Sequence, residues 1–380
     1  MLINQGKKVK IAGAGPSGLT AAICLAKAGY DVHIYEAREA VGARFIGDFQ
    51  VLENSSGHPD PLEMLKKMGI SINFFTRPIR EALFFDYRLR PQTVTSLNPF
   101  GYFIQRGQQK DSRDTNWLPL DEGLLRQAID TGVTISYQTR IKPNEADIIA
   151  TGPSIADGLA KEMTFLTNSP DTVWVLFDMK YAPGGYVYLF VIDGYATFGC
   201  AITRDLSQIN RYFDISLARI QTIAPFTICN EKIGYSFMDF RLKSSAVDDQ
   251  RLYIGEAGGF QDYLFGLGLR YAFMTGYYAA TSIMNGQRYD DLWKEGLRTG
   301  QEMSLVNRSL YEWGGNAGLS YFIQQAGRND LQEYLVSWQT ANRWKMGLLP
   351  IIKWAWKDKK PCQHRFPPHW CRTRRPRSDG

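Results

Sequence analysis

Gly13-Ala14-Gly15-Pro16-Ser17-Gly18 has the spacing GxGxxG, and Glu36 follows Gly18 by 18 residues. Each position has a chemical reason to be what it is. Gly13 permits a tight turn, Gly15 lets the backbone approach a pyrophosphate, and Gly18 allows close helix–strand packing. Ser17 stands in the same turn. A pyrophosphate would rest on backbone N–H groups at the positive end of a helix dipole. The Glu36 carboxylate could accept hydrogen bonds from an adenosine ribose. The chemistry implied is dinucleotide binding.

The motif carries weight only if a strand precedes it and a helix follows. Lys8–Ala12 is a short apolar strand pattern, Pro16 to Ala28 reads as an Ala/Leu-rich helix closed by Gly29, and Asp31–Tyr35 reads as a second strand. That order is a βαβ unit, the start of a parallel sheet. Asp60 opens a short helix over Pro61–Met68, and Gly69 closes it. Gly101–Gln105 reads as a strand, Glu122–Thr131 as a helix and Ala146–Ala150 as a strand. From about 165 to 245 the texture changes to β-rich runs with tight turns, at Thr172–Met179, Gly185–Ile192 and Ala196–Ile202, which predicts an antiparallel sheet. Gly268–Met284 reads as a helix, and from about 287 the chain is helical and aromatic.

Beyond Glu36 the chain runs Ala37-Arg38-Glu39-Ala40-Val41-Gly42-Ala43-Arg44. This stretch resembles the glutathione-reductase-type FAD fold. The resemblance implies that Ala37 and Arg44 lie beside the cofactor. Ile148-Ile149-Ala150-Thr151-Gly152 resembles the strand that passes under FAD in such proteins, which adds Thr151 and Gly152. Gly255-Glu256, followed by Gly266-Leu267-Gly268-Leu269, resembles the distal Gly-Asp motif and the glycine-rich helix entry beyond it, with Glu256 where Asp is usual. The resemblance implies ribityl or ribose contacts for that acid. It also implies a helix N-terminus facing the flavin pyrimidine ring, where it would stabilise negative charge on the reduced flavin.

Within that group the chain resembles the geranylgeranyl reductase family, related to p-hydroxybenzoate hydroxylase, over most of residues 8–285. Tyr102 to Arg106 is similar to a strand ending in an Arg that contacts the flavin. Tyr186-Val187-Tyr188-Leu189-Phe190-Val191, with Gly199 beyond, is similar to the family's Tyr-x-Trp-x-Phe-Pro and Gly-x-Gly signature; Tyr188, Val191 and Ala201 depart from it. Period-two alternation puts Tyr186, Tyr188 and Phe190 on one strand face. Ordinary sheet packing would use that face too, but the family lines a prenyl chamber with it. A family cysteine soon after the FAD motif has no counterpart between Cys24 and Cys200.

The resemblance implies an FAD-dependent oxidoreductase that reduces carbon–carbon double bonds of an isoprenoid or similar hydrophobic substrate. No catalytic acid is identified; Tyr263 and Tyr186 are candidates. No second GxGxxG follows a strand, so the electron donor is expected to be transiently docked NAD(P)H, ferredoxin or a deazaflavin. A flavin monooxygenase, or a non-catalytic membrane-associated flavoprotein, are the alternatives. A halogenase is disfavoured because Trp-x-Trp-x-Ile-Pro is absent.

The expected architecture is α/β: a Rossmann-type FAD-binding domain (1–75, 100–164 and 246–286) interleaved with an antiparallel-sheet substrate domain (76–99 and 165–245). A helical C-terminal region (287–360) and a poorly ordered basic tail (361–380) complete it. Composition agrees with a globular body, at 44% hydrophobic and 22% charged over 380 residues. Charge is uneven: residues 341–380 hold 11 Lys/Arg and 2 Asp/Glu, the remainder 33 and 36. A mildly acidic body excludes a nucleic-acid-binding role, and the basic segment implies a partner of its own. Its Trp344 to Lys357 stretch mixes Trp, aliphatics and Lys, which fits contact with a membrane interface or a helix docked on the body. Five scattered cysteines exclude a disulfide framework. Neither a signal peptide nor a bilayer span is expected, so the body is expected in the cytoplasm, peripheral to the inner membrane face if the tail binds lipid. Cys362, His364, His369 and Cys371 lie within ten residues, but their spacing is not a common zinc spacing, and no metal site is assigned.

Overall fold

Strand Lys8–Ala12 buries Val9, Ile11 and Ala12 and forms the middle of a six-stranded sheet. The molecule, a computed structural model, is described over residues 7–57, 59–109 and 116–357. The sheet order is Val247–Asp248, Arg251–Tyr253, Ile148–Ile149, Lys8–Ala12, Asp31–Tyr35, Thr134–Ser136. All its pairs are parallel except the first, so crossover helices must cover it. Helix Pro16–Lys27 does so with an unbroken buried run from Ser17 to Leu25. Helix Leu269–Asn285 crosses it closely: a Cβ at Gly276 would lie 2.4 Å from the Ser17 carbonyl oxygen.

A seven-stranded sheet forms the second layer, in the order Cys229–Met238, Gly158–Leu166, Tyr195–Ile202, Tyr186–Ile192, Thr172–Leu176, Glu81–Phe85, Pro91–Thr95. Its pairs are antiparallel apart from Thr172–Leu176 with Glu81–Phe85. One face packs on helix Ile209–Gln221, with Phe198 and Phe213 rings 5.1 Å apart and edge-on. A three-stranded antiparallel sheet, Phe49–Glu53, Gly101–Gln105 and Thr76–Ile79, joins the two.

The α/β class, the Rossmann-type unit and the antiparallel sheet are as the sequence implies. The structure differs from that expectation in three places, two in strand pairing and one in element type. Gly158–Leu166 pairs within the seven-stranded sheet, so that sheet begins before residue 165. Thr76–Ile79 pairs with Gly101–Gln105, whereas Glu81–Phe85 and Pro91–Thr95 join the large sheet. Ile209–Gln221 is a helix inside the stretch read as β; its buried Ile209, Phe213, Ser216 and Ile220 follow a helical period.

The C-terminal region is helical through Tyr289–Ala326, Leu331–Gln339 and Arg343–Lys357; Gly315 breaks the first with φ 51° and ψ −153°. Pro350 lies inside the last. None of these helices is long and apolar enough to cross a membrane. Cys362, His364, His369, Cys371 and the tail 361–380 lie outside the described residues.

Candidate cofactor and substrate site

One cavity of about 930 Å³ opens between the two large sheets. Its first wall is the glycine turn. Gly13 has φ +104°, and a Cβ there would sit 2.4 Å from the Ala150 carbonyl oxygen. A Cβ at Gly18 would sit 2.1 Å from the Gly13 carbonyl oxygen, while one at Gly15 would meet nothing within 4 Å. Gly13 and Gly18 therefore serve the packing of strand, turn and helix, and Gly15 presents bare backbone to the cavity. Gly18 is the one cofactor-binding candidate that does not line it.

Two helices begin at this cavity, Pro16–Lys27 behind Gly15 and Leu269–Asn285 behind Gly268, and neither has a side-chain cap. Their first N–H groups lack intrahelical acceptors, and both dipoles place positive potential there. Glu36 accepts from the N–H groups of Ala14 and Arg38, each at 2.9 Å, which fixes its carboxylate at the wall. Ser17, Ala37, Arg44, Thr151, Gly152, Gly255, Gly266 and Leu269 also line the cavity. Gly255 donates its N–H to Thr275 Oγ1 at 2.9 Å. Glu256 is raised above the usual carboxylate range by burial, against the pull of Arg44 and Arg106. These features fit a bound FAD: an open glycine for the pyrophosphate, an oriented acid for the ribose, and a second uncapped helix start for an anionic ring edge.

Arg106 lines the cavity, but its guanidinium is already engaged. Nε and Nη2 donate to Asp121 at 2.9 and 2.8 Å, Nη1 donates to Gln50 at 2.7 Å, and the Phe45 ring lies 3.8 Å away. The pair is buried rather than a surface bridge.

The facing wall is the open face of the seven-stranded sheet. Tyr186, Tyr188 and Phe190 line it, with Tyr188 and Phe190 stacked at 4.9 Å and Phe103 a further 4.9 Å beyond Phe190. Tyr186 donates its hydroxyl to the Phe265 carbonyl at 2.7 Å. Tyr263 does not reach the cavity; it is wholly buried and its hydroxyl donates to the Gly259 carbonyl at 3.2 Å. It is thus a packing residue and not a proton source.

Sequence reasoning missed Glu162, which lines the same aromatic wall. A lone acid within the strand Gly158–Leu166 was the available signal. Its strand pairs with Tyr195–Ile202 and Cys229–Met238, a partnership that the expected boundary at residue 165 does not contain. Among the described residues no group of three or more His, Cys, Asp or Glu side chains could hold a metal ion.

Residues 11–47 match the family model "NAD(P)-binding Rossmann-like domain". Among curated proteins, the chain is 38% identical over 78 residues to the NADP(+)-dependent formate dehydrogenase subunit beta of Moorella thermoacetica. That match covers 20% of this chain and 11% of the other. It is 34% identical over 97 residues to an L-amino acid oxidase of Cerastes cerastes, covering 22% and 18%. The chain thus spans less than a fifth of the length of either relative. Whole-chain likeness appears in solved structures. A geranylgeranyl bacteriochlorophyll reductase-like protein of Thermoplasma acidophilum aligns with TM-score 0.69 and 18% identity over 92% of this chain and 99% of that one. The flavin-dependent halogenase CmlS aligns at 0.57 and 18%, over 93% and 70%. A 2-methyl-3-hydroxypyridine-5-carboxylic acid oxygenase aligns at 0.54 and 15%, over 86% and 98%. At these identities the likeness is one of fold, shared with the reductase-like protein, the halogenase and the oxygenase alike.

Proposed function

We propose that this chain, built on the fold of FAD-dependent oxidoreductases, binds FAD and reduces carbon–carbon double bonds of an isoprenoid or similar hydrophobic substrate. The observation that carries this reading is one cavity walled by a dinucleotide-type glycine turn and by the aromatic face of Tyr186, Tyr188 and Phe190. Bound and reduced, the cofactor supplies a hydride to one alkene carbon. In this reading Gly13, Gly15 and Ser17 hold the pyrophosphate and Glu36 the ribose. Thr151, Gly152, Gly255 and Glu256 flank the dinucleotide, and the helix start at Gly268 faces the flavin. The aromatic wall holds the substrate chain and excludes water, which strengthens the electrostatics of the site. The electron donor is NAD(P)H docking transiently, ferredoxin or a deazaflavin.

Anaerobic reduction followed by two mixings tests this. Reduced holoenzyme should reoxidise under nitrogen with geranylgeraniol as the alkene probe. A transient hydroperoxyflavin spectrum on mixing with oxygen, without alkene-dependent reoxidation, would instead identify a monooxygenase. Absence of both would identify a non-catalytic flavoprotein.

Helix Arg343–Lys357 supports peripheral membrane contact. Leu349, Ile352 and Trp356 are buried against Met303, Leu305 and Val306, while Trp344, Ile351 and Trp354 are 53%, 60% and 69% exposed. Lys345 is buried and Lys353 is paired with Glu302, so the exposed apolar side chains, with Arg343 beside them, carry this reading, a free basic residue adding about 1 kcal/mol near an anionic bilayer. Replacing Trp344, Ile351 and Trp354 together by Ser should cut co-sedimentation with phosphatidylserine vesicles at least about tenfold, as loss of three interfacial side chains implies. Unchanged co-sedimentation would remove this helix as the contact.

A further inference from the structure

Glu162 is 5% exposed and reaches the cavity from the strand next to one edge of the seven-stranded sheet. The strand register explains its surroundings. It stands opposite Gly199 on one side and Gly234 on the other, and Tyr188 stands opposite Gly199 on the next strand. A Cβ at Gly199 would lie 2.1 Å from Tyr188 Cζ. The phenol ring therefore lies across the place a side chain at 199 would occupy, and spans that strand. Its hydroxyl donates to Glu162 Oε1 at 2.7 Å. From the opposite side Ser236 Oγ donates to Glu162 Oε2 at 2.7 Å.

Four other acids and phenols lining this cavity have partners of their own, and Tyr35 and Glu39 lie at the glycine-turn end beside Glu36. Glu36 is held by the Ala14 and Arg38 N–H groups, Asp121 by Arg106, and Tyr186 by the Phe265 carbonyl. Glu256 stands by the helix start at Gly268, its Oε1 accepting from Gln261 at 3.4 Å. Among the described acids that line the cavity, Glu162 is the one hydrogen-bonded to the aromatic wall, through Tyr188.

We infer that the Glu162 carboxyl is the proton donor of the reaction, delivering its proton to the alkene carbon that does not receive the hydride. This rests on the reading of function above. The carboxyl O–H bond breaks and a C–H bond forms from the alkene π pair, while the other carbon takes the hydride. The substrate gains two electrons, the reduced flavin loses two, and the carboxylate regains its proton from solvent. Tyr188 and Ser236 suit both states, because a hydroxyl donates to a carboxylate and accepts from an acid. Burial first, and the neighbouring Asp48 second, push the Glu162 carboxyl up to about 7; the two hydroxyls and Arg44 pull the other way. The acid form is therefore present at neutral pH, as a general acid requires. Tyr186 also lies near, and its own group is raised mainly by burial.

Two readouts test this on the holoenzyme. Infrared spectra without substrate should show a protonated carboxyl band that fades as pH rises through about 7 and is missing in Glu162→Gln. In Tyr188→Phe the fading should move to higher pH, because a donor to the carboxylate is gone. In single turnover with geranylgeraniol, Glu162→Gln should reoxidise roughly 10²–10⁴-fold more slowly, with flavin content and melting temperature near wild type. The wild-type rate should fall as pH rises through about 7, and the variant's profile should be flat. A wild type lacking the band, or a Gln variant with wild-type rate and profile, overturns the assignment. A wild type that shows the band but is not reoxidised by the alkene overturns the reading of function, and the donor role with it, while leaving the protonated site established.

Discussion

Gly13→Ala should both destabilise the N-terminal sheet and strip the protein of flavin. Alanine at φ +104° costs about 1–2 kcal/mol, and its Cβ would press on the Ala150 carbonyl oxygen at 2.4 Å, adding about 1–3 kcal/mol of overpacking. The turn that presents Gly15 would shift with it. Two comparison variants separate these effects. Gly29→Ala has a similar φ, +87°, with nothing within 4 Å of its Cβ, so it should lower stability by the backbone cost alone and retain flavin. Gly15→Ala has φ −76° and open space around its Cβ, so it should fold as the wild type does yet lose flavin, because the methyl enters the cavity. Thermal melts and the flavin-to-protein absorbance ratio read both properties. Full flavin retention in Gly15→Ala would argue against a pyrophosphate at this turn.

Asp121→Ala should be the most damaging change away from the glycine turn. The carboxylate accepts from Arg106 twice and from the Gly107 N–H at 2.9 Å, and both charged partners are buried. Removing one partner of such a pair costs about 3–5 kcal/mol, because the remaining charge stays out of water without its counterion. For a chain of 380 residues that corresponds to a fall in melting temperature of roughly 4–6 °C. The same change leaves the Gly107 N–H without its acceptor, while the close packing at Gly42 is kept, because alanine retains the Cβ that a Cβ on Gly42 would meet at 2.9 Å. Arg106→Met combined with Asp121→Leu should recover much of the loss, since it removes both charges together. A melting temperature for Asp121→Ala within about 2 °C of wild type would show that the pair contributes little.

The glycine turn, the strand before it, the helix after it and the acid at Glu36 were all legible in the sequence. Each depends on local geometry: a positive φ, a helix start, a strand end a fixed distance on. The alternation of Tyr186, Tyr188 and Phe190 was legible for the same reason, since a strand's period is local. Helix Ile209–Gln221 was equally local, with a helical period at Ile209, Phe213 and Ile220, and was hidden only by the β-rich runs on either side.

What no local pattern holds is which strands become neighbours. Glu162 meets Tyr188 across an intervening strand, at a residue that must be glycine for the ring to pass. Arg106 meets Asp121 because a strand end and a helix start converge. The sequence by itself therefore determined the glycine turn of a Rossmann-like unit and the presence of an aromatic strand. Only the tertiary structure decided that an arginine read as a cofactor contact is held by a buried acid, and that the aromatic wall carries an acid of its own. The physical reason is that sheet register and sheet-to-sheet packing set side-chain partners over separations where the chain's own periodicity has no say.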